Sequence, residues 1–426
     1  MLFIKKIKQN ELFKNTFIYT VLQLFNSAIP FLLLPILTRY LTPDDYGMIA
    51  TWSTFTGFLG IFIGLSMFGA IGVNYFHFKQ EELAKYIGNV LILLLISTSI
   101  VTLLTWSFQP YLIEKLKLPL IWLYIAIIAT WMRMITGINL VLWRSKKKAK
   151  SYSLYLLGQT LFDILLSLFF VVILHFGWEG RGIGKASAAI IFGLFSLFLL
   201  HRNRYVILNF SVTYIKDALK FGIPLIPHQL ALWMRGGVDI LLITSLVGVS
   251  QTGLYNVGLQ FGMIIGLFVG AFNNAYVPYF YEKLKNITPE TKSSLVKFTY
   301  FYFIGIIIFA MILSSCSIFI IPYLLDEKFI NASIYIYWIS LAYAFQGMYV
   351  MVVNYIFYTK KNHLISMTTI TTSIFHVILS YFLIIKYGAI GAAYASVISY
   401  FLTFILIWRI SNKVFPMPWV VFWVRK

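Results

Sequence analysis

The stretch GIGKASAAI at residues 182–190 returns in altered form as AIGAAYASV at residues 389–397, so that Gly184 superposes on Gly391 at an offset of 207 residues. A second pair keeps almost the same spacing. RYLTPDDYGMI (39–49) and SLVGVSQTGLY (245–255) are both short polar turns closing on a glycine, and Gly47 and Gly253 are 206 residues apart. Two separated places that agree to one residue indicate an internal repeat of about half the chain. Reading outward from them, each lies at a junction between long apolar runs. Runs of roughly 20 apolar residues fall near 16–38, 47–75, 87–108, 119–143, 153–175, 183–200, 221–246, 252–280, 298–325, 332–358, 364–385 and 389–410. The fold expected is therefore an all-α membrane protein of about 12 transmembrane helices in two six-helix bundles. The domains expected are 1–205 and 206–426. Six spans per half is an even number, so the halves insert in the same orientation, as a parallel repeat around a central cleft.

Composition agrees: the 426 residues are 60% hydrophobic and 11% charged, with a mean hydropathy of +0.83. The runs are too continuous for the alternating strands of a transmembrane β-barrel. The first run follows a lysine-bearing segment without a small-residue cleavage site, which is expected of an uncleaved first helix. The net charge of +20 first suggests a nucleic-acid partner, but most of the 34 basic residues gather at alternate span ends, as in RSKKKAK at 144–150. Few stand at the other ends, among them Arg39, Arg181 and Lys185. This is the positive-inside pattern, with both termini cytoplasmic, membrane lipid as the neighbour and no nucleic acid. The single cysteine, Cys316, allows no internal disulfide and no metal cluster. Walker A, HExxH and GxSxG motifs are absent, so no enzyme, cofactor or metal is expected.

Charges inside the spans are the candidates for function, because each costs about 2.5–3.5 kcal/mol to insert. Arg133 and Asp163 lie at matching depths on adjacent antiparallel spans, which predicts a structural ion pair. On the seventh span Pro224, His228, Arg235 and Asp239 share one face, with Gly236 and Gly237 at the level of the charges. The eighth span offers Asn256, Gln260 and Asn274, and the first offers Gln23 and Asn26. Such polar faces suit a hydrated cavity. Two readings of Arg235 and Asp239 are open: they neutralise each other one turn apart, or they face a cavity and its cargo. His228, and likewise His376 beside Ser373 and Ser380, reads as a hydrogen-bonded packing residue, with proton carriage the alternative for His228.

With the opening FKNTFIYTVLQLFNSAIPFLLLPILTRYLTPDDYG (13–47), the segment SLVGVSQTGLYNVG (245–258) and the two Ile-Gly-x-Ala segments, the chain resembles the Wzx-type O-antigen flippases of the multidrug/oligosaccharidyl-lipid/polysaccharide exporter superfamily over nearly its whole length. The resemblance implies a MATE-like fold in a bacterial cytoplasmic membrane. It also implies flipping of an undecaprenyl-diphosphate-linked oligosaccharide by alternating access, coupled to H+ or Na+, beside other polysaccharide-assembly membrane proteins. Within that frame Arg235 is the candidate for the diphosphate, Arg39 stands at the outer mouth, Gln23, Asn26, Asn256, Gln260 and Asn274 line the cavity, and Asp239 and His228 couple or gate. The alternatives are a drug or cation exporter of the same superfamily and a membrane polysaccharide polymerase, the latter disfavoured because no long outer loop is present.

Overall fold

The computed structural model describes residues 29, 31–285 and 287–420. Among them the regular structure is helical: α1 (Phe31–Tyr40), α2 (Pro43–Gly64), α3 (Met67–Asn74), α4 (Gln80–Ser107), α5 (Gln109–Leu116), α6 (Leu120–Ser145), α7 (Ala149–Leu168), α8 (Gly177–Arg202), α9 (Val212–Gly222), α10 (Ile226–Leu246), α11 (Val249–Lys285), α12 (Pro289–Leu324), α13 (Ser333–Tyr358), α14 (Asn362–Tyr387) and α15 (Ile390–Val414). Ten of the helices among the described residues are long and apolar enough to cross a membrane. Two more spans were expected. One is α10, whose 21 residues reach the length but which carries Arg235 and Asp239. The other is the first, of which α1 is the described part.

Local chemistry fixes the helix starts. Thr42 caps α2 by accepting from the Asp45 amide at 3.2 Å, and Asp45 returns the contact to the Thr42 amide at 2.8 Å, with Pro43 preset in the first turn. Asp45 also accepts from the Trp178 amide at 3.0 Å, which ties the start of α8 to the start of α2. The polar turn near Gly47 is thus a cap and a tether at once.

The chain divides into two compact units, residues 1–233 and 234–426. In the first, α6 packs against α2, α4 and α8, and α8 pairs with α7. In the second, α13 packs against α11, α12 and α15, and α15 pairs with α14. The same order of neighbours recurs, as a structural repeat requires. The repeated glycines explain why. A Cβ on Gly184 would stand 2.7 Å from the Ser167 backbone nitrogen on α7, and one on Gly391 would stand 2.7 Å from the Ile384 nitrogen on α14. Each glycine lets a helix lie directly on the backbone of the preceding one. Between the halves, the segment after α8 is pinned along α4: Ile207 donates to the Ala84 carbonyl at 3.1 Å, while Asn89 donates to the Asn209 carbonyl and accepts from the Ser211 amide, both at 2.8 Å.

Candidate functional site

Two polar centres lie within the bundles, one in each unit. In the second unit Asp239, 2% exposed, is enclosed by α11, α14 and α15. Its Oδ1 accepts from Ser380 Oγ at 2.6 Å and stands 3.2 Å from His376 Nε2. Its Oδ2 accepts from Tyr255 OH at 3.1 Å and from Ser396 Oγ at 3.2 Å. A carboxylate taken out of water needs this many donors, since an unpaired buried charge costs several kcal/mol. His376 is held from its other side, Nδ1 lying 3.2 Å from Ser399 Oγ.

Arg235 takes a different set. Its Nε donates to Ser373 Oγ at 3.0 Å, and its Nη2 to Thr403 Oγ1 at 3.2 Å and to Thr372 Oγ1. The Tyr400 ring centroid is 5.9 Å from the guanidinium carbon. Of the two open readings of Arg235 and Asp239, mutual neutralisation is not what is found: one turn of helix separates them into different hydroxyl sets. Among the described residues, no carboxylate lies within ion-pair distance of Arg235. The helix runs unbroken through Gly236 and Gly237.

In the first unit the expected Arg133–Asp163 ion pair is also corrected. Asp163 pairs with Arg181 of α8 and accepts from Ser167 Oγ at 3.0 Å, while Arg181 also donates to Ser167. Arg133 donates its Nη2 to the Thr56 carbonyl at 2.9 Å. Matching depth placed Arg133 and Asp163 at one level, but the rotation of α8 carries Arg181 to the carboxylate first. Arg181 and Lys185, read from sequence as charges at a span end, are instead inside α8, Arg181 at 7% exposure and Lys185 with Nζ 3.1 Å from Ser53 Oγ. Arg133, Asp163 and Lys185 line a cavity of about 280 Å³ within this unit. The signal that could have found these cations is their surroundings. Gly182, Gly184, Ala186, Ala188 and Ala189 make α8 a small-residue helix, the composition of close helix packing and not of a membrane surface.

The remaining expected residues are dispersed. Arg39 is exposed at the end of α1. Asn256 and Gln260 are half-buried and Asn274 is exposed on α11, none of them in the hydrogen-bond sets of Arg235 or Asp239. His228 is half-buried, with Nδ1 enclosed and unpartnered. Gln23 and Asn26 lie outside the described residues. Sequence reading named His376 with Ser373 and Ser380 as a packing group; what it missed is that, with Thr369 and Thr372, they form one buried polar face of α14 that meets Arg235 and Asp239. Their spacing of three and four is a helical stripe.

The Lsg locus protein 1 of Haemophilus influenzae is 27% identical over 408 residues, covering 92% of this chain and 98% of that one. An uncharacterised membrane protein of the same organism is 24% identical over 379 residues, covering 86% and 89%. Among solved structures, the lipid II flippase MurJ in an inward closed conformation superposes with a TM-score of 0.74 at 16% identity, over 96% of this chain and 88% of that one. An inward-facing MATE multidrug resistance transporter of the MOP superfamily gives 0.65 at 16% identity, over 92% and 94%. These likenesses show the fold, which is MATE-like as the sequence led us to expect. The model of the polysaccharide biosynthesis protein family matches residues 12–284, and the chain belongs to that family.

Proposed function

We propose that this chain flips an undecaprenyl-diphosphate-linked oligosaccharide, a repeat unit of O-antigen or another surface polysaccharide, from the inner to the outer leaflet of a bacterial cytoplasmic membrane by alternating access, driven by a proton or sodium gradient. Both termini are cytoplasmic in this reading, and the chain works beside other polysaccharide-assembly membrane proteins without acting as an enzyme. The observation that carries it is Arg235. A guanidinium in a membrane helix whose hydrogen bonds, among the described residues, go to neutral hydroxyls beside an aromatic face has no carboxylate partner and suits an incoming anion. A diphosphate cannot cross hydrocarbon unaided, and a guanidinium binds phosphate oxygens bidentately through pairs of N–H donors.

Asp239 is the coupling residue of this proposal. As a carboxylate it accepts from three hydroxyls on three other helices, with His376 Nε2 at 3.2 Å; on protonation one oxygen becomes a donor, so one of these neighbours must turn to accept. Proton uptake there changes how α10 is held to α11, α14 and α15. A drug or cation exporter would need Asp239 to meet its cargo, and both oxygens of that carboxylate are already taken twice. The reading is tested by deleting the gene in its native host. Lipid-linked repeat units are expected to accumulate in the cytoplasmic leaflet, and an unchanged glycolipid pool with altered dye resistance would refute it.

A further inference from the structure

Among the described residues the cavity lined by Arg133 and Lys185 holds more cations than anions. Arg133 is exposed toward the cavity, and among the described residues its hydrogen bond goes to the Thr56 carbonyl. Lys185, among the described residues, hydrogen-bonds the Ser53 hydroxyl. Among the described residues of the wall the one carboxylate is Asp163, whose Oδ1 is bound by Arg181 and Ser167, so a single carboxylate faces three cations. A buried cation ordinarily has a carboxylate beside it, because the loss of hydration is otherwise unreturned. Here open space stands in that place. The volume of about 280 Å³ is on the order of nine water volumes, enough for a phosphate or carboxylate with part of the group that bears it. Ser53 and Gln159 add neutral hydrogen-bonding groups to the lining, and Trp52 an aromatic wall.

We propose that this cavity is an oxyanion-binding site formed by Arg133 of α6 and Lys185 of α8, taking a phosphate or a sugar carboxylate. Asp163 serves it indirectly. By engaging Arg181 it fixes α8 against α7, which sets where Lys185 points, and its one charge is outnumbered by the three cations around it. The site stands apart from the role given to Arg235, and neither depends on the other.

The test uses the full chain in lipid nanodiscs, titrated separately with inorganic diphosphate and with glucuronate and followed by calorimetry. One or both anions are expected to bind. The Arg133→Gln/Lys185→Gln variant should bind at least about tenfold more weakly, as loss of charge-assisted contacts requires. The charge-retaining Arg133→Lys/Lys185→Arg variant should recover most of the binding, which separates a ligand site from a general loss of fold. The titrations are repeated in an Arg235→Gln background, which removes diphosphate binding at Arg235, and there the Arg133→Gln/Lys185→Gln change should still weaken binding. Weakening seen with diphosphate assigns the site to a phosphate, and weakening seen with glucuronate assigns it to an acidic sugar. Wild-type protein that binds neither anion, or a double glutamine variant that binds as wild type does, would overturn the proposal. Failure of Arg235 variants in transport would leave it standing.

Discussion

At Asp239 each carboxylate oxygen is held twice, and at Asp163 one oxygen is shared by Arg181 and Ser167. These two residues respond differently to mutation. Arg181→Ala leaves the Asp163 charge without its partner, and with Asp163 22% exposed the cost is expected at the low end for a broken buried pair, about 3 kcal/mol. Asp163→Asn added to it should recover most of that loss. Unfolding midpoints of both single variants and the double variant in nanodiscs check this, and simple additivity would contradict the pair. Asp239→Asn replaces one acceptor oxygen with an NH2 whose N–H groups face donors, with an expected loss of about 1–3 kcal/mol and of ion-coupled transport. The sequence marked Arg133, Asp163, Arg235 and Asp239 as charges within spans but not whom they meet. Arg235 and Asp239 are one turn apart on a helix, and Arg133 and Asp163 are equally deep. Both facts are necessary for pairing, and neither specifies the rotation of α8, α14 and α15, which supply the partners observed.

Among the elements, α8 and α15 carry the repeat most plainly, because glycine at a helix contact is dictated by the backbone opposite. Gly184→Leu and Gly391→Leu should each force a packed pair of helices apart, α7 from α8 and α14 from α15, at a cost of about 1–3 kcal/mol or more. Thermal unfolding followed by size-exclusion chromatography reads it; unchanged midpoints in both would contradict the contact. These glycines were legible from spacing alone. Lys185, one residue along from Gly184, was not, since a lysine near the start of an apolar run has the same pattern whether it meets headgroups or a cavity. The span α10 shows the same limit. Its two charges lower its hydropathy, and only the hydroxyl faces of α14 and α15 make them tolerable in the bundle.

For the whole molecule, the distribution of lysine and arginine predicts orientation. In a chain with Cys316→Ser, a cysteine at Lys147 should be labelled by an impermeant maleimide only from the cytoplasmic side, and one at Glu327 only from outside. The reverse pattern would invert the topology. The central claim is that Arg235 carries a diphosphate-linked glycan across the bilayer, and it is tested most directly in proteoliposomes holding fluorescent undecaprenyl-diphosphate-oligosaccharide, with an imposed ion gradient. The wild-type chain should bring the glycan to the opposite leaflet, Arg235→Lys should do so more slowly, and Arg235→Ala should fall to the protein-free rate while remaining folded. Transport by Arg235→Ala at the wild-type rate would contradict the account.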